Sequence, residues 1–239
     1  HWVMRGADIE RAHAEKPLDG VLIMSPANPS GTMMSVEDLQ EVALTCQRLG
    51  IWLISDEIYH GLTYETPAET ALKFNPDAVV VNSFSKYYCM TGWRVGWLVL
   101  PESLVRPVER LSQSLYISTP QLSQIAAEAA FDCKAELEDI KNGYARNRAL
   151  FMRELPKIGY DRFLPVDGAF YFYIDVSAYT NDSMAYCKRI LEEANVAITP
   201  GADFDPERGH RYMRLSFAND LTDCERALEQ LRKFVKNHQ

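Results

Sequence analysis

Nowhere does this chain carry an apolar run long enough to span a bilayer, and no signal-peptide pattern is visible in it. Cysteine is scarce: Cys46, Cys89, Cys133, Cys187 and Cys224 are odd in number, widely spaced and contain no C-x-x-C. That pattern excludes a disulfide framework and a zinc site of the usual spacing, and it suits a reducing cytoplasm. His13, His60 and His210 likewise lack metal-ligand spacing and read as surface or packing residues. Basic residues are in deficit, since 25 Lys and Arg against 33 Asp and Glu leave a net charge of −8. A chain so charged is a poor nucleic-acid binder by electrostatics, although a local site can still hold a small anion. Repeats and low-complexity tracts are absent too.

What is there, at 47% hydrophobic content, is enough apolar material for a sizeable core. The first part alternates short apolar runs with helical periods. Residues 21–24 form a first strand, followed by the turn-rich "SPANPSG". Ser35 then opens a helix with Asp38 as its capping partner, and Gly50 stops it. "IWLIS" (51–55), "AVVVNS" (78–83) and "WRVGWLVL" (93–100) supply further strands. Their runs do not alternate, which predicts a parallel sheet covered by helices on both faces, with Trp93 and Trp97 in the core. Residues 102–155 read as three helices broken near Pro120 and Cys133. After Pro156 a small α/β unit follows: "AFYFYIDV", a helix over 183–195, "VAITP", the strand 211–217 and a last helix from Leu221. The expected fold is α/β, with a partial large domain over 1–150 and a small domain over 151–239. The chain starts at His1 without methionine, and so short a parallel sheet would have bare edges. The expectation is therefore that an N-terminal part of the large domain is missing.

The chemistry gathers where strands end: Asn28 after the first, Asp56 and Tyr59 after the second, Ser83 and Lys86 after the third. Open α/β sheets bind ligands beyond those ends. Lys86 is the only charged residue between Asp77 and Arg94, within an aromatic stretch. Either it snorkels to solvent or the site wants an amine. An amine in an apolar pocket loses protons more readily and turns nucleophilic, able to form a Schiff base with an aldehyde. If the aldehyde is pyridoxal phosphate, Asp56 suits its ring nitrogen and Tyr59 its ring oxygen. Ser83 and Arg94, three before and eight after the lysine, suit its phosphate.

"SPANPSG", "SDEIYHGLTYE", "SFSKYYCMTGWRVGW" and "YMRLSFA" together resemble the ordered signatures of class I/II aminotransferases, the fold-type-I pyridoxal-phosphate enzymes, from about residue 20 to the C-terminus. The resemblance implies amino transfer between an α-amino acid and a 2-oxo acid by a cytoplasmic homodimer that engages neither nucleic acid nor membrane. It makes Lys86 the catalytic lysine, and Asp56, Tyr59, Asn28, Ser83, Ser85 and Arg94 the cofactor contacts. Asn28 and Arg214 become substrate contacts. Strand periodicity supports Arg214 separately, because Met213, Leu215 and Phe217 face one way and Arg214 the other. Two other readings stay open: a related lyase, such as a carbon–sulfur β-lyase, and the aminotransferase-like sensor module of a transcription regulator.

Overall fold

Ser35 caps its helix as its sequence predicts. Its hydroxyl accepts from the Asp38 amide at 3.0 Å, and Gly50, at φ 65°, ends the helix in the left-handed conformation. In the computed structural model, which describes residues 2–238, that helix is α2 (Val36–Leu49), preceded by α1 (Gly6–Glu15) and β1 (Gly20–Met24). Three more strands follow: β2 (Trp52–Asp56), β3 (Val79–Ser83) and β4 (Gly96–Val99). They lie side by side in the order β1-β2-β3-β4, the first three parallel and β4 antiparallel to β3. The expected α/β fold with a mostly parallel sheet is therefore present.

One face of this sheet is core. Val21, Ile23 and Leu53 pack with Leu39, Val42, Ala43 and Cys46 of α2 and with Ile9 of α1. Helical cover of the other face is incomplete among the described residues. On the opposite face Leu22 is 61% and Trp52 43% exposed, and Leu98 is exposed as well. The strands do alternate in burial, and only apolar composition on both sides hid the period. The expected strand 93–100 also starts late. Trp93 ends a 3-10 turn (Thr91–Trp93) and is 42% exposed rather than core, because Arg94 turns left-handed at φ 54° and breaks the extension. Trp97 is half-buried against Phe84, 5.1 Å between ring centroids. Then α3 (Glu102–Leu115) and α4 (Gln121–Ala130) follow, broken where the sequence predicted.

The remaining elements are α5 (Lys134–Ile158), β5 (Tyr171–Asp175), α6 (Ser183–Ala194), β6 (Thr199–Pro200), β7 (Tyr212–Ser216) and α7 (Leu221–Asn237). Their sheet is antiparallel in the order β5-β7-β6. Four of the five β5 side chains are buried, and Phe172, Ile174, Met213 and Phe217 join Phe151, Leu155, Ile190 and Leu231 in its core. Burying one such side chain fully contributes about 1.5–3 kcal/mol. Asn147, buried in α5, donates its amide to the carbonyls of Phe217 (3.0 Å) and Asn219 (2.6 Å), fixing the chain as it leaves β7.

The chain forms two compact units. The first runs to Pro26 and then from Thr32 to Glu138; the second joins Ala27–Gly31 to Asp139 onward. The Gly31 carbonyl ties the short segment to its unit by accepting from the amides of Asp167 (2.9 Å) and Gly168 (3.0 Å).

Candidate active site

In the first unit Asp56 ends β2, paired with Met24 on one side and Val81 on the other. The alternation that buries Leu53 and Ser55 turns Asp56 to the open face of the sheet, the face of Ile54 and Trp52. Its Oδ1 accepts from the Ile58 amide at 3.1 Å. Burial pushes the Asp56 carboxyl above its ordinary 3.8, and Glu57 adds to the rise. The Ile58 amide, His60 and Lys86 pull the other way. A half-buried acid whose ionised form is penalised is a place where a cation would be stabilised.

Glu57, next along, belongs to the core instead. Its Oε1 accepts from the hydroxyls of Ser55 (3.1 Å) and Thr70 (3.0 Å) and from the Ala71 amide (2.9 Å). Its Oε2 lies 3.4 Å from His60 Nδ1, and His60 Nε2 lies 3.1 Å from the Ser25 carbonyl, which can only accept. Burial holds the His60 imidazole below its usual range against the pull of Glu57. Neither Glu57 nor His60 stood out in the sequence. A charged pair after a strand reads as a solvated turn, and only the fold brings Thr70 and Ser25 to them.

Lys86 sits in a tight loop after β3. Ser83 Oγ donates to the Val95 carbonyl at 3.2 Å and accepts from the Ser85 amide at 3.0 Å, while the Cys89 amide donates to the Lys86 carbonyl at 3.0 Å. Behind the loop Phe84 packs against Tyr88, Trp97 and Phe131, with centroids 4.7 to 5.4 Å apart. Lys86 is half-buried, and its ammonium lies 5.7 Å from the ring centroid of Tyr59, a residue only 2% exposed. Tyr87 anchors the loop by donating to Glu138 Oε1 at 2.6 Å. Arg94 donates from one terminal nitrogen to the Thr91 carbonyl (3.0 Å) and the Ser85 hydroxyl (3.4 Å). Among the described residues it pairs with no carboxylate.

This donor set fits pyridoxal phosphate. A lysine amine, a carboxylate that gains from a cationic partner, a phenol ring near the amine, and an acid-free guanidinium next to a buried serine hydroxyl are the groups such a ligand requires. Asp56, Tyr59, Ser83, Ser85, Lys86 and Arg94 all belong to the first unit.

Asn28 and Arg214 belong to the second unit, and they meet. Arg214 donates to Asn28 Oδ1 at 2.7 Å and to Thr199 Oγ1 at 3.1 Å. Its Nε is buried and without a hydrogen-bond partner. Its guanidinium carbon lies 4.4 Å from the Tyr171 ring centroid and 4.7 Å from that of Phe204. Thr199, Tyr171 and Phe204 escaped the sequence reading; the guanidinium-facing parity of β7 was the only signal, and it does not name neighbours.

A sequence model of the family described as "Aminotransferase class I and II" matches residues 6–231. The valine–pyruvate aminotransferase of Mycobacterium tuberculosis is 49% identical over 224 residues, 92% of this chain and 58% of that protein. The crystal structure of an aminotransferase from the same organism superposes with a TM-score of 0.94 at 45% identity, covering 98% of this chain and 61% of that one. The Thermus thermophilus aspartate aminotransferase with maleate gives 0.89 at 30% identity, over 97% and 60%. The chain thus spans about three-fifths of the length of these relatives.

Proposed function

This chain belongs to the class I and II aminotransferase family, and on that premise we propose that it carries the lysine-bearing part of a pyridoxal-phosphate enzyme that moves an amino group between an α-amino acid and a 2-oxo acid. The observation that carries the reading is the pairing, on one sheet edge, of a carboxyl raised by burial (Asp56) with an amine beside a buried phenol (Lys86 and Tyr59). Bound pyridoxal phosphate supplies an electrophilic aldehyde on an electron-withdrawing ring. Lys86 would supply the amine that holds this group and would move a proton to or from the substrate α-carbon. Asp56 would face the ring nitrogen and hold its proton. Tyr59 and Asn28 would serve the ring oxygen, and Ser83, Ser85 and Arg94 would hold the phosphate. Arg214 binds the substrate carboxylate, for which a planar fork of N–H donors is suited.

The likeness to a protein named valine–pyruvate aminotransferase supports a neutral aliphatic amino acid with pyruvate as the first pair to assay. The exposed apolar face of the first unit supports a homodimer. None of the cysteines is disulfide-bonded, which supports a reducing cytoplasm; no helix among the described residues is long and apolar enough to cross a membrane. We propose residues 1–150 as part of the cofactor-binding domain and 151–239 as the small domain.

Borohydride treatment of the full-length gene product loaded with cofactor is expected to leave a pyridoxyl mass on the peptide that contains Lys86, read by mass spectrometry. A label on another lysine, or on none, would overturn the reading.

A further inference from the structure

We infer that Phe204 and Tyr171 are positioning residues: an aromatic clamp that holds the Arg214 guanidinium without neutralising it, so that the charge is kept for an incoming carboxylate. The inference rests on the reading of Arg214 as the carboxylate site and adds what makes that arginine competent.

Each neighbour that the structure gives the guanidinium is uncharged. Two ring centroids lie within 4.7 Å of its central carbon, and an amide oxygen and a hydroxyl accept from its two terminal nitrogens. An arginine has five N–H donors, so the two hydrogen bonds leave three, among them the buried Nε–H that has no acceptor. Burying a guanidinium with unsatisfied donors is costly. A protein carboxylate in contact would relieve the cost but would then compete with substrate. Ring faces attract the cation through their quadrupole yet cannot take its in-plane N–H bonds. The clamp therefore fixes the position of the charge and leaves its edge open to a bidentate anion.

The backbone around Phe204 is built to hold the ring there. Phe204 follows the 3-10 turn Gly201–Asp203, and its amide donates to the Gly201 carbonyl at 2.9 Å. A Cβ on Gly201 would lie 2.5 Å from the Gly209 carbonyl oxygen and 2.6 Å from that of Tyr212. Only glycine lets this turn press so closely on the segment leading into β7, which carries Arg214 two residues later. Tyr171, on β5 and buried, supplies the second ring, its centroid 4.4 Å from the guanidinium carbon.

The test uses the full-length gene product, cofactor-loaded and labelled with ¹⁵N-arginine. Propionate is the carboxylate probe, and the Arg214 Nε–H resonance, assigned by its loss in Arg214→Lys, is the readout. Wild type should show a saturable shift. Replacing Phe204 by 3,4,5-trifluorophenylalanine keeps the ring's shape but drains its face of electrons, and should weaken propionate binding about threefold or more. Phe204→Leu should weaken it by roughly three- to thirty-fold, and Phe204→Trp should restore it. In steady-state assays KM for donor and acceptor should rise together in the Leu variant, with kcat little changed. Unchanged affinity in the fluorinated protein, with propionate binding lost in Arg214→Lys, would overturn the clamp alone. Wild-type affinity in Arg214→Lys, followed by other resonances, would overturn the carboxylate reading and the clamp with it. Should Phe204→Leu fail to fold, the fluorinated protein decides.

Discussion

Ionising Asp56 is costlier in the folded chain than in the unfolded one. Burial raises its carboxyl above the unfolded value of 3.8, so folding favours the neutral acid. The stability this contributes is complete below 3.8 and is lost as pH rises through the raised folded value. An asparagine at this place stays neutral throughout. Cofactor-free Asp56→Asn should therefore melt higher than wild type at pH 7, on the order of 2 °C, with the gap closing at pH 3, as followed by calorimetry. Its cofactor affinity should fall at the same time. Equal melting at both pH values would contradict the assignment of cause. Lys86 stood out in the sequence as the one charge in an aromatic stretch, and Asp56 by its place at the end of a strand. Glu57 and His60 did not, since their partners Thr70 and Ser25 come from other segments.

At the scale of elements, the loop that bears Lys86 depends on a close approach. Gly61 has φ 92°, and a Cβ there would lie 2.7 Å from the Tyr87 ring, one residue beyond the lysine. Gly61→Ala should cost about 2 kcal/mol in urea unfolding and also loosen cofactor retention. Gly50 makes the fitting control. It is left-handed too, at φ 65°, but nothing lies within 4 Å of its would-be Cβ. Gly50→Ala should cost about 1 kcal/mol and leave cofactor retention alone. If both variants release cofactor equally, the Tyr87 contact is not what orders the loop. The ends of α2 were read correctly, because Ser35 and Gly50 act within a few residues of themselves, whereas α5 runs on through Pro156 to Ile158. The start of β4 was misread, because the left-handed Arg94 is a backbone event that a string of β-formers conceals.

At the scale of the whole molecule, the first unit shows apolar surface on one side of its sheet and along α3, which has no buried residue and ends near Ile117 at 80% exposure. Contiguous patches of this kind mark surfaces that other protein covers. Residues 1–239 produced by themselves should bind the dye ANS and elute above monomer mass on size exclusion. A monodisperse monomer that binds no dye would show that the surface needs no cover.

What the sequence determined by itself was local or periodic: the strand–helix alternation, the helix caps, the odd lysine, and the arginine set opposite the core-facing residues of its strand. Each follows from chemistry within a few residues along the chain. Tertiary structure alone decided which neighbours those groups meet. It closed a carbonyl and a loop threonine onto the Glu57 and His60 pair, set two rings beside Arg214, and left Leu22, Trp52 and Leu98 exposed on one face of a sheet. Such contacts join residues far apart in sequence, and packing, not periodicity, selects them.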